Sequence, residues 1–313
     1  MTNPRLDRHS SWRSRSTVNY FIDMQSPTLP EDIERYIWET FADLYPKEVP
    51  NCCQVSDQIK KWLQPMLHRV VVAYLYSRWP NIQESASNDL TAYPNYVQHV
   101  LLGGTLSQDP DLTKCLNLLP LLPNVKDLAI WWDGSGVVGA LLPYCAHLQP
   151  ERLSISFETL LGPGRGLRGY TRHSIFSRLT HLEVIIDCDD WNDWKDLAEL
   201  PCLTHLSLTL GSSVEVIEGA LAECKHLKIL TRVTQGVGLQ EQETCRLRPS
   251  AVLSYTQTDP RVVEFECGYL ADWKAFAFGE PNMWTIAERV VEERLRDKSG
   301  SVVDTSTPVD PLL

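Results

Sequence analysis

Two Thr-His-Leu tripeptides, Thr180-His181-Leu182 and Thr204-His205-Leu206, put imidazoles at the same place in two neighbouring segments of similar pattern. On adjacent strands such rings would sit about 5 Å apart at the backbone. Two imidazoles could share a metal ion, but the spacing supplies no third ligand, so the pair reads as part of a polar binding surface. No metal or other cofactor is expected.

Other clusters point elsewhere. Asp187, Asp189, Asp190 and Asp193 could supply oxygens to calcium, but Trp191 and Ala198 stand where a calcium loop needs ligands. The cluster reads as a solvated loop that helps to cap the following helix. Gly134-Ser135-Gly136-Val137-Val138-Gly139 matches G-x-G-x-x-G, with a strand expected before it and a second strand ending at Glu158. That is the pattern of a dinucleotide loop. A second match, Gly164 to Gly169, falls at a similar phase of the next segment, where any strand-to-helix turn favours glycine. No Ser-His-Asp or Cys-His arrangement is apparent, and the chain is not expected to be an enzyme. Nine cysteines form no C-x-x-C pair and read as reduced, mostly buried thiols.

The elements that would carry these residues repeat. An apolar triplet L-x-x-L-x-L recurs as Leu203-Leu206-Leu208, Leu179-Leu182-Val184 and Val125-Leu128-Ile130. Weaker copies are Val97-Val100-Leu102, Leu67-Val70-Val72 and Val262-Phe265-Cys267. Two degraded ones begin at Pro150 and Leu227, the last with Arg232 in third place. Copies start 24 to 35 residues apart, in or just above the range of leucine-rich repeats. The second and third apolar residues lie two apart, so on a strand they share a face. Helical stripes intervene: Val137, Leu141, Tyr144 and Leu148; Trp191, Trp194, Leu197 and Ala198; Val214, Ile217, Leu221 and Cys224. Strand and helix in alternation predict α/β architecture, with parallel strands and helices outside. Strands are expected near 70–72, 97–102, 126–131, 152–157, 181–186, 205–210, 228–232 and 262–267, with Leu128, Leu182, Leu206 and Phe265 buried.

On such strands the intervening residues point the other way. Asp127, Trp131, Arg152, His181, Glu183 and His205 would then line an exposed face, offering both charge signs and an aromatic anchor to an unknown protein substrate.

Both ends differ from the middle. Leu29-Pro30-Glu31-Asp32 begins a helix, with Pro30 in its first turn and Ile33, Ile37, Phe41 and Leu44 as a stripe. A second helix is expected from Asn51 to Leu63, with Cys52, Val55, Ile59 and Trp62 on one side. Pro281 to Asp297 reads as an amphipathic helix carrying Trp284, Ala287, Val291 and Leu295 that closes the repeat array. Residues 1–28 and 298–313 read as disordered tails.

A net charge of −11 at pH 7 argues against a nucleic-acid partner held through phosphates. The longest apolar run, Val70 to Tyr76, is too short to span a bilayer. Met1 to Thr17 lacks the apolar stretch of a secretory signal, so a cytoplasmic or nuclear location is expected.

Leu29-Pro30-Glu31, Ile33, Ile37, Val55-Ser56 and Trp62 resemble the F-box. Residues 29 to 296 resemble F-box-like, leucine-rich-repeat proteins of fungi, in which the box runs into Trp62-Leu63-Gln64-Pro65-Met66-Leu67 and later the strand Val97 to Gly104. The resemblance implies an F-box-like helical module over 29–66. An irregular leucine-rich-repeat solenoid over 67–270 and a capping helix over 271–297 would follow. The implied role is the substrate-recognition subunit of a Skp–cullin–F-box ubiquitin ligase, with Leu29, Pro30, Ile33, Ile37, Val55 and Trp62 contacting a Skp-type adaptor. Two departures stand out. The box is short, and no asparagine ladder follows the triplets, whose ladder places hold residues such as Thr105, Asp133, Glu158 and Gly211. A repeat scaffold without ligase role, or a nucleotide-binding α/β enzyme using Gly134 to Gly139, are the alternatives.

Overall fold

The computed structural model describes residues 29–74, 93–105, 116–133, 141–162, 167–185, 188–209, 211–235, 246–247 and 259–298. Three helices open this part of the chain: α1 (Glu31–Leu44), α2 (Val49–Cys52) and α3 (Asp57–Leu63). Pro30 precedes α1, and Glu31, Asp32 and Glu34 fill its first turn, where the positive end of the dipole favours acids. The single helix expected from Asn51 to Leu63 is broken at 53–56. Ser56 takes extended geometry and its side chain accepts the Ile59 N–H at 3.2 Å, which starts α3 afresh. Ala42, Val49, Cys52, Ile59, Trp62 and Leu63 form a small core between these helices.

A sheet follows, built from β1 (Val70–Tyr74), β2 (His99–Thr105), β3 (Asp127–Asp133), β4 (Arg152–Ile155), β5 (His181–Val184), β6 (His205–Thr209), β7 (Ile229–Gln235), β8 (Arg246–Leu247) and β9 (Val262–Cys267). The order is β1-β2-β3-β4-β5-β6-β7-β9-β8. Eight strands run parallel, and the two-residue β8 lies antiparallel to β9 at the edge. The protein is thus α/β with one open, sequentially ordered parallel sheet. The same turn precedes successive strands: the amides of Glu151 and Arg152 donate to Lys126 O, those of Thr180 and His181 to Glu151 O, and those of Thr204 and His205 to Thr180 O.

Register follows the apolar triplets through the middle of the sheet. Val100, Leu128, Leu153, Leu182, Leu206 and Leu230 align across six strands. These residues share one large core with Ile130, Ile155, Val184 and Leu208. At both ends the triplets misassign the face. Val71, not Val70, aligns with Val100, and Val262, not Phe265, aligns with Leu230. Because side chains alternate, each displacement by an odd number of residues moves a strand's apolar set to the other face. Phe265 is fully buried as expected, but on that opposite face. Where β7 and β9 should present a third apolar residue they carry Arg232 and Glu264, which pair at 2.7 Å in a buried ion pair.

Short helices pack on the large core: α4 (Leu142–Cys145), α5 (Phe157–Leu161), α6 (Trp191–Trp194) and the longer α7 (Val214–Glu223). Val137 lies outside the described residues. The opposite face is covered by two further helices, α8 (Tyr269–Ala277) and α9 (Met283–Lys298). Trp273 and Ala277 of α8 pack with Val72, Leu101 and Ala129 of β1 to β3. Met283, Trp284, Ala287 and Val291 of α9 pack with Ile229, Val233, Val263 and Phe265. The expected C-terminal cap is therefore a cover laid across the sheet, in two helices rather than one, ending at Lys298. Covering both faces is the usual solution for a parallel sheet, whose strands then lose solvent contact on either side.

Candidate functional site

The two candidate surfaces meet opposite fates. On α1 and beside it, most of the expected adaptor-binding residues face outward. Leu29 is 55% exposed, Ile33 44%, Ile37 49% and Val55 61%, and Pro30 is exposed with them. Tyr36, at 68%, joins the stripe and was not singled out in the sequence. The inner side of α1 instead carries Trp38, Phe41 and Ala42. Trp62 departs from the expected set, being buried in the module's core rather than offered to a partner. Gln58 Nε2 donates to Glu31 Oε1 at 2.9 Å, tying the start of α1 to α3 close to Val55.

The expected open sheet face is not open. Asp127 and His205 are buried, and Trp131, Arg152, His181 and Glu183 are half-buried beneath α8 and α9. Nothing in the spacing of the strands tells which helix lies over them, so this cover was not legible in the sequence. Beneath the cover the polar residues bind one another. Trp131 Nε1 donates to Ser154 Oγ at 2.7 Å, and Ser154 Oγ donates to Glu183 Oε2. The guanidinium of Arg152 lies 3.4 Å from the centre of the Phe276 ring, a cation–π contact strengthened by loss of water. A small cavity of about 30 Å³ remains among Arg152, Ser154, His181, Glu183, Asp272 and Trp284.

Enclosure shifts Glu183, Asp272, Arg152, His181 and His205 toward their neutral forms. Burial pushes Glu183 up to about 8, against the hydrogen bond from Ser154. Burial likewise raises Asp272 to about 7, although the Met283 N–H and the nearby Arg152 favour its anion. Arg152 falls to about 10 by burial, opposed by Asp127, Glu288 and Asp272, and so remains a cation at neutral pH. His181 and His205 pair in register and stack, ring centres 4.0 Å apart and planes 9° apart. Trp284 meets both edge-on. Burial, then the charge of Arg152, holds them at about 2 and about 4, so both are neutral at pH 7. Among the described residues, His181, His205 and Glu288 are the one group whose donor atoms could surround a metal ion.

The remaining expectations resolve variously. Asp190 accepts the Asn192 N–H at 2.8 Å and caps α6, as expected of the acidic cluster. The Gly134 to Gly139 loop lies outside the described residues. β4 ends at Ile155, so Glu158 falls within α5 rather than at the end of a strand. Six cysteines, Cys52, Cys53, Cys145, Cys188, Cys202 and Cys224, are free thiols. Cys267 is disulfide-bonded, contrary to the expectation of reduced thiols throughout. No described helix is long and apolar enough to cross a membrane. No family model and no curated protein matches the chain.

Proposed function

We propose that the chain is a protein-interaction adaptor, with α1 to α3 acting as an F-box-like docking module on an irregular leucine-rich-repeat body. The proposed partner of the module is a Skp-type adaptor, which would make the chain a substrate-recognition subunit of a ubiquitin ligase. The observation that supports this reading is the outward apolar stripe of α1 beside Val55. Among the described residues, seven of the thirteen exposed large hydrophobics lie between Leu29 and Val55. Exposed apolar residues gathered on a folded module mark a contact site, and helices commonly present anchors at the i, i+4 spacing of Leu29, Ile33 and Ile37 to a groove. The resemblance of Leu29-Pro30-Glu31, Ile33, Ile37 and Val55-Ser56 to the F-box then names the partner class. An enzymatic reading gains no comparable support.

The test is a calorimetric titration of the full chain with a purified Skp-type adaptor, for wild type and Ile33→Asp. Ile33 is outside the module's core, so the variant should melt within a few degrees of wild type while its affinity falls at least tenfold, the cost of burying an unpaired carboxylate. No binding by the wild type would leave the scaffold reading, in which the module only closes the end of the sheet.

A further inference from the structure

We propose that His181, His205 and Glu288 form a binding site for one divalent transition-metal ion of the zinc class, which clasps α9 to the sheet. The site is independent of the adaptor reading.

The two imidazoles are held alike by their own repeats. Thr180 Oγ1 donates to Glu151 O at 2.9 Å, and Thr204 Oγ1 donates to Thr180 O at 3.2 Å. Each hydroxyl has spent its one proton, so the ring nitrogen 2.8 Å away must donate to it: His181 Nδ1–H to Thr180 Oγ1 and His205 Nδ1–H to Thr204 Oγ1. In a neutral ring that leaves Nε2 with a bare lone pair. Since the same device orients both rings, and the rings stack nearly parallel, the two Nε2 atoms lie side by side. Neither has a hydrogen-bond partner, and both are shut off from solvent.

The third donor arrives from α9. Glu288 Oε1 lies 3.3 Å from His205 Nε2, without the alignment of a hydrogen bond. With no proton on Nε2, a carboxylate oxygen and a lone pair face each other, an arrangement that a cation between them would relieve. The three donor atoms lie within 4.8 Å of one another. Tetrahedral zinc with bonds of about 2.0–2.1 Å holds its donors roughly 3.3 Å apart. The site must therefore tighten by an ångström or so, with each ring turning about its Cβ–Cγ bond so that the lone pairs converge. Glu288 is half-exposed, so the fourth position is reachable by water. Two neutral imidazoles and one carboxylate suit zinc or cobalt over magnesium or calcium. The Thr hydroxyls fill the outer positions that fix ligating imidazoles. Arg152 opposes a nearby cation, and Asp127, Asp272 and Glu288 offset it.

The experiment is a titration of chelator-treated full-length protein with Co²⁺, followed by visible absorption and by thermal melting. Wild type should take up one equivalent with a d–d spectrum free of intense thiolate charge-transfer bands, and its melting temperature should rise by several degrees at saturation. Glu288→Gln alters a half-exposed side chain. It should melt like wild type without metal and bind Co²⁺ at least tenfold more weakly, and His205→Gln should lose the spectrum. Unchanged Co²⁺ binding in Glu288→Gln, a thiolate-type spectrum, or no uptake by wild type would each overturn the proposal.

Discussion

At the scale of single residues, the sheet face beneath α8 and α9 is a set of titratable groups enclosed with one another, and its behaviour with pH can be derived. Asp272 has its pKa raised from an ordinary 3.8 to about 7, mainly by burial. The folded state thus holds the proton more tightly than the unfolded chain. The stabilisation this gives is full below about pH 4 and lost as pH rises toward 7. Glu183 acts in the same direction to about 8. Asp272→Asn keeps an oxygen for the Met283 N–H but cannot ionise. The melting temperature of the variant relative to wild type should therefore climb between pH 4 and pH 7.5, as read by calorimetry across that range. A difference that is flat with pH would show that Asp272 ionises normally. The register of His181 and His205 was legible from the two Thr-His-Leu tripeptides. Glu288 and Asp272 were not, because each reaches the face from a distant helix whose placement depends on tertiary packing.

At the scale of elements, α7 shows how closely these helices seat. A Cβ at Gly219 would lie 2.3 Å from the Trp191 ring. That ring is buried, and its Nε1 donates to Glu223 Oε1 at 2.7 Å, so it cannot swing aside cheaply. Alanine ordinarily stabilises a helix interior over glycine by about 1 kcal/mol. Here overpacking should win, at a cost of about 1–3 kcal/mol. Gly219→Ala should thus lower the melting temperature by roughly 5 °C, and an increase would contradict the packing. Strand positions were largely legible because buried triplets repeat with the period of the sheet. The failures fall where the pattern thins. Val70-Val71-Val72 is apolar throughout, so alternation cannot choose a face. The expected triplet at Val262, Phe265 and Cys267 straddles both faces, since both are buried in β9. The turn at 53–56 was missed because Ser56 capping outweighed a continuous helical stripe.

At the scale of the whole molecule, covering decides which surfaces remain for partners. The polar sheet face that looked like a recognition surface is the seat of α8 and α9. Substitutions such as Arg152→Ala should act there through stability, by about 2 kcal/mol, as the contact with Phe276 is lost and the neighbouring acids lose their counter-charge. The N-terminal module keeps its apolar stripe in solvent. A sequence reports apolar spacing well, but it does not say which side of an amphipathic helix another part of the chain will take. Hydrogen–deuterium exchange of the full chain, with and without a Skp-type adaptor, tests the docking role of α1 to α3. Exchange should slow only within residues 29–63, with β4 to β6 and α9 unchanged. Protection centred on β4 to β6 and α9, with residues 29–63 unaffected, would contradict that role.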